Sequence, residues 1–459
     1  RMPALTDLSA IELSDAIQTG SASCVEVMTA FLERIDAVNA ELNALVNLTS
    51  PERCLDLARQ SDKDLHAGNY RGWLHGFPIA VKDLSNARGF PTTSGSALFE
   101  HYMPSQDDPH VQRMRAAGGI VIGKTNVPEW GLGGHTENSV FGLTGNACDQ
   151  ALSAGGSSGG AATAVASQML PLADGSDMMG SLRTPAAFQG LVGFRPTPAA
   201  VPVPTEMDPM ALGLVSIGPI ARNVADATAL FLTLSGQARL SPPEQTPTST
   251  LSTIRIGWLG DAGGYWPTED GILADCEKGL DRLASAGASV DLCNTLPAME
   301  ELWQCWTTLR HHALSPGKAL YENPQKRALM GTNWQWEISQ GLPLTQSAIA
   351  DARAKQTHWH KTLSRLFGQY DVIAAPACQV YPFAAAQGPP AQIGNKALDT
   401  YHQWLEVSLV ASLGNLPVIS LPLPASTPQR ATGIQFMMPP GHDHELLNVA
   451  AKAELSLSG

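Results

Sequence analysis

Charge is scarce in this chain. Only 15% of its 459 residues are Asp, Glu, Lys or Arg. So little charge excludes a solvated, disordered polymer and predicts a large buried interior. The charge present leans acidic, with a formal net of −13. A field of that sign repels phosphate backbones, and no block of like charges reverses it locally, which argues against nucleic acid as a partner. No window of about 18 uninterrupted apolar residues occurs, so no membrane-spanning helix is expected. The first fifteen residues lack a continuous apolar stretch and do not read as a secretory signal. Cysteine is sparse and unpatterned: seven residues, at 24, 54, 148, 276, 293, 305 and 378, with no CxxC pair. An odd, scattered set excludes a disulfide framework and reads as reduced, mostly buried thiols of a cytoplasmic protein.

What is present is an alternation of short apolar runs and helical patterns. Ser9 with Glu12, and Ser23 with Glu26, have the spacing of capping boxes before two opening helices; in the second, Val27, Phe31, Leu32 and Ile35 recur at helical spacing. Strands are expected at Phe77–Leu84, Gly119–Gly123, Ile254–Leu259, Val290–Cys293, Val372–Ala375, Val418–Leu423 and Ile434–Met437. Helices are expected at Val111–Ala117, Ala161–Gln168, Val224–Leu234, Ala274–Ala286 and Leu446–Ala453. Strands alternating with helices predict an α/β layered fold, a sheet with both faces covered. We divide the chain into N-terminal helices (1–70), a core (71–235), a Ser/Thr/Pro-rich linker (236–253) and a second half (254–459). Eight of the ten tryptophans fall in that half: Trp258, Trp266, Trp303, Trp306, Trp334, Trp336, Trp359 and Trp404. They read first as core packing and second as an aromatic pocket wall.

One segment is unlike the rest. Gly155–Gly160 reads Gly-Gly-Ser-Ser-Gly-Gly, and Gly175–Pro185 reads Gly-Ser-Asp-Met-Met-Gly-Ser-Leu-Arg-Thr-Pro. Glycines around serines permit close approach of a ligand to the backbone, and Ser181, leading into a helix, would sit near free N–H groups suited to an oxyanion. No Gly-Lys-Ser/Thr follows, so the block is not a P-loop. It formally matches the GxSxG nucleophile elbow, which would make Ser158 or Ser157 the nucleophile, but no buried strand precedes it as that motif requires. Ser315-Pro316-Gly317-Lys318 fits SxxK without its companion motifs. The histidine pairs 311/312, 358/360 and 442/444 lack metal-site spacing and read as surface residues, so neither a metal nor a cofactor is implied. Lys82 shares a strand face with Ala80 among apolar neighbours; by position alone it reads first as a strand-end lysine reaching water, and second as a partly desolvated amine whose lowered pKa would let it act as a base.

Together these pieces resemble the amidase signature family. The likeness rests on the Gly-Gly-Ser-Ser-Gly-Gly block, Asp177 with Gly180-Ser181-Leu182-Arg183 and Pro185-Ala186-Ala187-Phe188, the Lys82 strand, Gly123-Lys124-Thr125-Asn126, and Thr136-Glu137-Asn138-Ser139-Val140-Phe141-Gly142. Lys82 and Ser157 lie 75 residues apart, Ser157 and Ser181 24 apart. The resemblance implies one large mixed sheet covered by helices on both faces, and a catalytic triad. Ser181 would be the nucleophile, Ser157, held by a cis peptide bond, the proton shuttle, and neutral Lys82 the base. The N–H groups of Met178, Met179, Gly180 and Ser181 would form the oxyanion hole, with Ser158, Asp177 and Arg183 bracing the site. Many members have glycine where Met179 stands; a backbone donor survives that change, and the side chain becomes pocket wall. The implied activity is hydrolysis of a C–N bond in a small, apolar or aromatic amide. The alternatives are a carbamate (urethane) hydrolase or esterase on the same triad, or the glutaminase component of an amidotransferase. The expected assembly is a monomer or homodimer.

Overall fold

The computed structural model describes residues 3–204, 213–237 and 251–458. Two helices, α1 (Ala10–Thr19) and α2 (Cys24–Leu42), open the chain, each with its capping box formed. The Ser9 hydroxyl accepts from the Glu12 N–H at 3.1 Å while the Glu12 carboxylate accepts from the Ser9 N–H at 2.8 Å. Ser23 and Glu26 repeat the pattern at 3.0 and 2.7 Å. Val27, Phe31 and Ile35 carry the buried stripe of α2, with Leu32 half-buried beside it.

The strands of the two larger sheets, in chain order, are β1 (Leu45–Val46), β2 (Pro78–Lys82), β3 (Ile120–Thr125), β4 (Ala173–Asp177), β5 (Val192–Arg195), β6 (Ser216–Ala221), β7 (Arg255–Trp258), β8 (Ser289–Leu292), β9 (Val372–Pro376), β10 (Val418–Pro422) and β11 (Gly433–Met437). Eight of them form one mixed sheet in the order β8-β7-β9-β11-β10-β5-β6-β4. The β8–β7 and β9–β7 pairs are parallel; β9–β11, β11–β10, β10–β5, β5–β6 and β6–β4 are antiparallel. Both faces are buried. Alternate residues of the central strands sort into two separate cores: Val372, Ala374, Ile419, Leu421, Ile434 and Phe436 into one, Ile373, Ala375, Val418 and Met437 into the other. A period of two with apolar residues on both sides is what a sheet between two helical layers requires.

The seven expected strands are all present, with ends shifted by one or two residues. Three neighbouring strands, β4, β5 and β6, were not foreseen. Their sequences, ADGSD, VGFR and SIGPIA, hold glycine, proline and charged residues in place of a β-branched run, so local propensity hides them. The Lys82 strand also differs in place: it belongs not to the large sheet but to a three-stranded one, ordered β1-β3-β2. The β2–β3 pairing is parallel, with an irregularity between Ile79 and Ala80 just before the lysine. The helices of the second half between residues 299 and 367 were likewise not foreseen. Of the proposed linker, residues 238–250 lie outside the described residues. No described helix is long and apolar enough to cross a membrane.

Helix α3 (Gly159–Ala166) is built of small residues, and the reason is contact. A Cβ placed on Gly160 would stand 2.2 Å from the Asn126 amide nitrogen and 2.7 Å from the Ala44 carbonyl oxygen. Backbone occupies that space, so no side chain can yield to make room. Alanine ordinarily favours a helix over glycine by about 1 kcal/mol. Here the sign reverses: Gly160→Ala is expected to lower stability by about 1–3 kcal/mol through overpacking, seen as a lower urea midpoint at unchanged slope. An unchanged or higher midpoint would contradict this packing account.

Candidate active site

Lys82, the last residue of β2, is 1% exposed. Its Nζ lies 2.7 Å from Ser157 Oγ, 2.8 Å from Ser158 Oγ, 2.9 Å from Ser176 Oγ and 3.1 Å from the Ser176 carbonyl oxygen. None of these four partners carries charge. Burial therefore dominates and lowers the lysine pKa to about 7, against the opposing pull of Asp177 and Asp174. Ser158 Oγ also donates to the Ser176 carbonyl at 3.3 Å, so it accepts from the amine. A neutral amine has two N–H groups and one lone pair, fewer donors than the four partners around it, so a hydroxyl can donate into the lone pair; Ser157 is the nearest, and that contact can pass its proton to Lys82.

The Gly-Gly-Ser-Ser-Gly-Gly block carries a cis peptide bond between Gly156 and Ser157. Ser158 stands at the N-cap of α3, yet its hydroxyl caps nothing, being held by Lys82 and Ser176. Its N–H donates to the Ser181 carbonyl at 3.3 Å, joining the two motifs. No strand runs directly into the block, which removes the elbow reading. Ser157 and Ser181 line a common cavity, whereas Ser158 is fully buried and does not.

The loop that carries Ser181 is held by one carboxylate. Strand β4 ends at Asp177, whose Oδ1 accepts from the Gly180 N–H at 3.0 Å, Arg183 Nη2 at 3.0 Å and Arg195 Nη1 at 3.1 Å. Its Oδ2 accepts from the Leu182 N–H and Arg183 Nε, each at 3.1 Å. Burial alone would raise the carboxyl pKa, but the two guanidinium groups outweigh it and hold Asp177 well below the usual carboxylate range. Arg183, in the short helix α4 (Arg183–Phe188), reaches on to the Ser408 carbonyl, Ser412 and Gln435. Gly180 has φ +96°, a conformation that side-chain-bearing residues rarely adopt. Its N–H is engaged by Asp177, which corrects the expectation of four free donors at this loop. The amides of Met178, Met179 and Ser181 have no partner among the described residues, and these three residues line the cavity.

Sequence reasoning missed Ser176, Asp174 and Arg195. Asp174 and Ser176 share one face of β4, two residues apart, and both meet Lys82: Asp174 accepts from its backbone N–H at 3.3 Å, Ser176 from its amine. The alternation Asp-Gly-Ser was the available signal, legible only once that stretch is read as a strand. His110 Nε2 stands 3.2 Å from the same Asp174 carboxylate, behind the site.

The cavity in front of Ser157 and Ser181 measures about 580 Å³ and is mostly apolar, walled by Leu84, Trp130, Leu132, Met179, Leu314 and Trp334. Trp130 and Trp334 stack at 4.8 Å with rings 6° from parallel. Of the tryptophans in the second half only Trp334 lines this cavity; Trp266, Trp306 and Trp404 are fully buried in the second core. One histidine expectation is corrected as well. His311 is not at the surface but buried, with Nδ1 2.6 Å from Glu337.

Comparison with known proteins gives this geometry its place. The sequence model of the Amidase family matches residues 26–447. The chain belongs to the amidase signature family of amide-hydrolysing enzymes. It is 30% identical to an acylamidase of Rhodococcus erythropolis, over 97% of this chain and 95% of that one. It is 32% identical to a glutamyl-tRNA(Gln) amidotransferase subunit from Salinispora arenicola, over 99% and 98% of the two chains. A solved amidase structure superposes with a TM-score of 0.87 at 28% identity, covering 98% of this chain and 100% of its own.

In this amidase the Asp177 carboxylate faces two buried guanidinium groups, so removing its charge strands both. Asp177→Asn keeps the shape and is expected to destabilise the fold by about 3–5 kcal/mol in denaturant unfolding. A loss below about 1 kcal/mol would mean that the carboxylate does not hold the loop.

Proposed function

We propose that this amidase cleaves the C–N bond of a small amide bearing an apolar or aromatic group, through an acyl-enzyme on Ser181. The observation that carries the reading is the buried Lys82 amine, matched only to hydroxyls and a carbonyl and depressed to about 7. Ser181 Oγ attacks the carbonyl carbon as its proton moves to Ser157, whose own proton passes to Lys82. The resulting oxyanion meets the N–H groups of Met178, Met179 and Ser181, each essential donor being worth about 3–4 kcal/mol. Lys82 then returns the proton, through Ser157, to the leaving nitrogen. An amine departs poorly unless protonated, so a base that becomes the acid suits amides in particular. Water attacks the ester next and the relay runs again in the same sense.

The cavity narrows the substrate class. Walls of Trp130, Leu132, Leu314 and Trp334 favour an apolar or aryl group. A free glutamine molecule, charged at both its amino and carboxylate groups, is poorly served by such walls, which speaks against an amidotransferase role despite the identity to that relative. A carbamate or ester would use the same relay, and only the fit of the second heteroatom separates them.

Matched anilide and N-aryl carbamate substrates test the reading through aniline release. The anilide is expected to be turned over, with release lost in Ser181→Ala by about a thousandfold or more. Faster release from the carbamate would make the protein a urethanase. Release surviving in Ser181→Ala would overturn the nucleophile.

A further inference from the structure

We infer that Arg310 is a specificity-determining residue, donating a hydrogen bond to a second, uncharged carbonyl oxygen carried by the substrate a few atoms from the scissile bond. This rests on the amidase reading above and extends it to the chemistry of the substrate.

Arg310 lies on α5 (Met299–Leu314), lines the cavity and is only 3% exposed. Its other partners stand behind it. Nε donates to Glu337 Oε1 at 2.8 Å, and Nη2 donates to the Tyr401 hydroxyl at 2.9 Å, which in turn donates to the same Glu337 oxygen at 2.8 Å. Glu337 belongs to α6 (Thr332–Gly341) and is fully buried. Nη1 is different. Its one hydrogen-bond partner among the described residues is the thioether sulfur of Met178 at 3.6 Å. Nη1 has two N–H groups and a thioether is a weak acceptor, so this cavity-lining residue keeps a cationic donor that no oxygen among the described residues receives. Buried donors without acceptors are costly, and a ligand oxygen that reaches one recovers that cost on binding. Most of the remaining wall is apolar, and of the lining side chains Arg310 alone carries a guanidinium, so an oxygen seeking that donor is directed to one place.

The charge balance selects the kind of oxygen. Burial would raise the Glu337 pKa, but Arg310 and the hydrogen bonds from His311 and His402 hold it well below the usual carboxylate range. Glu337 is therefore an anion already matched to Arg310. A substrate carboxylate would add a second buried anion beside one cation, whereas a neutral carbonyl adds none. Met178, Ser181 and Arg310 line the same cavity, so an oxygen meeting Nη1 would belong to a molecule that occupies the cavity with the carbonyl under attack.

The test measures binding apart from turnover. Calorimetry on Ser181→Ala would use anilides whose acyl chain carries a ketone, a methylene or a carboxylate at one carbon, walked along the chain from the third to the sixth. At one position the ketone is expected to bind about tenfold or more tighter than the methylene, and the carboxylate no tighter than the methylene. Adding Arg310→Met with Glu337→Gln, which removes both charges together, should reduce the ketone preference below about threefold. Arg310→Lys, which keeps the charge beside Glu337 but presents no second nitrogen to the cavity, should reduce it likewise and serves if the double replacement does not fold. No ketone preference at any position, a preference that survives both variants, or tightest binding of the carboxylate would overturn the assignment. Aniline release by the unmodified enzyme from the methylene anilide checks the amidase reading separately. Its absence beside an intact ketone preference would sink that reading and leave the Arg310 site standing.

Discussion

An amine taken out of water must find an anion, lose its proton, or be held by neutral dipoles at the edge of losing it. Lys82 is in the third condition, and much of the site follows from it. Three serine hydroxyls and one carbonyl surround its nitrogen, from β4 and from the N-terminus of α3. To bring those elements to one point, α3 must be made of small residues, and the Lys82 strand must leave the large sheet for a short one of its own. Asp174 and Asp177 lie near enough to raise the lysine pKa but make no ion pair with the amine, since each is engaged elsewhere. The result is an amine balanced near neutrality rather than a structural cation, as the proposed relay requires of its base.

The second constraint is rigidity of the loop that bears Ser181. Asp177 gathers two backbone amides and two guanidinium groups, and Arg183 continues the network to residues 408, 412 and 435. The loop is thereby tied to the centre of the large sheet, because Gln435 sits on β11 and Arg195 on β5. A buried charge network of this kind contributes little net stability but strongly disfavours other arrangements of the same groups. For the proposed oxyanion site that trade is favourable, because donors already aimed do not reorganise during the reaction.

Much of this was legible in the sequence, and the part that was not shares one cause. The capping boxes, the buried apolar strands and the Ser157–Ser181 motifs are local signals, written within a few residues. Ser176, Asp174 and Arg195 are non-local: their roles come from strands too polar to announce themselves, whose neighbours in space are distant in sequence. The same holds for Arg310 and Glu337, 27 residues apart on two helices that showed no signal strong enough to place them. The tryptophans read first as core packing, and bulk does draw most of them there; the stacked pair at the cavity joins Trp334 to Trp130 of the first half, a pairing no local pattern encodes. Gly180 is subtler. Its backbone donor was correctly seen, but whether an amide faces a cavity or a carboxylate depends on a neighbour's rotamer, which no local pattern encodes.

The sign of the lysine shift makes the account measurable. With a folded pKa near 7 and an unfolded value near 10.4, the unfolded chain holds more protons between those limits. This group's contribution to stability therefore rises with pH across that window, and its capacity to accept a proton from Ser157 appears as pH rises through about 7. The most direct test is to titrate the amine itself by NMR of lysine labelled at the side-chain nitrogen and neighbouring carbon, with Lys82→Met to assign the resonance. A midpoint near 7 is predicted. A midpoint in the ordinary lysine range near 10.4 would mean that Lys82 is a buried cation at neutral pH, and the relay through Ser157 would have no base.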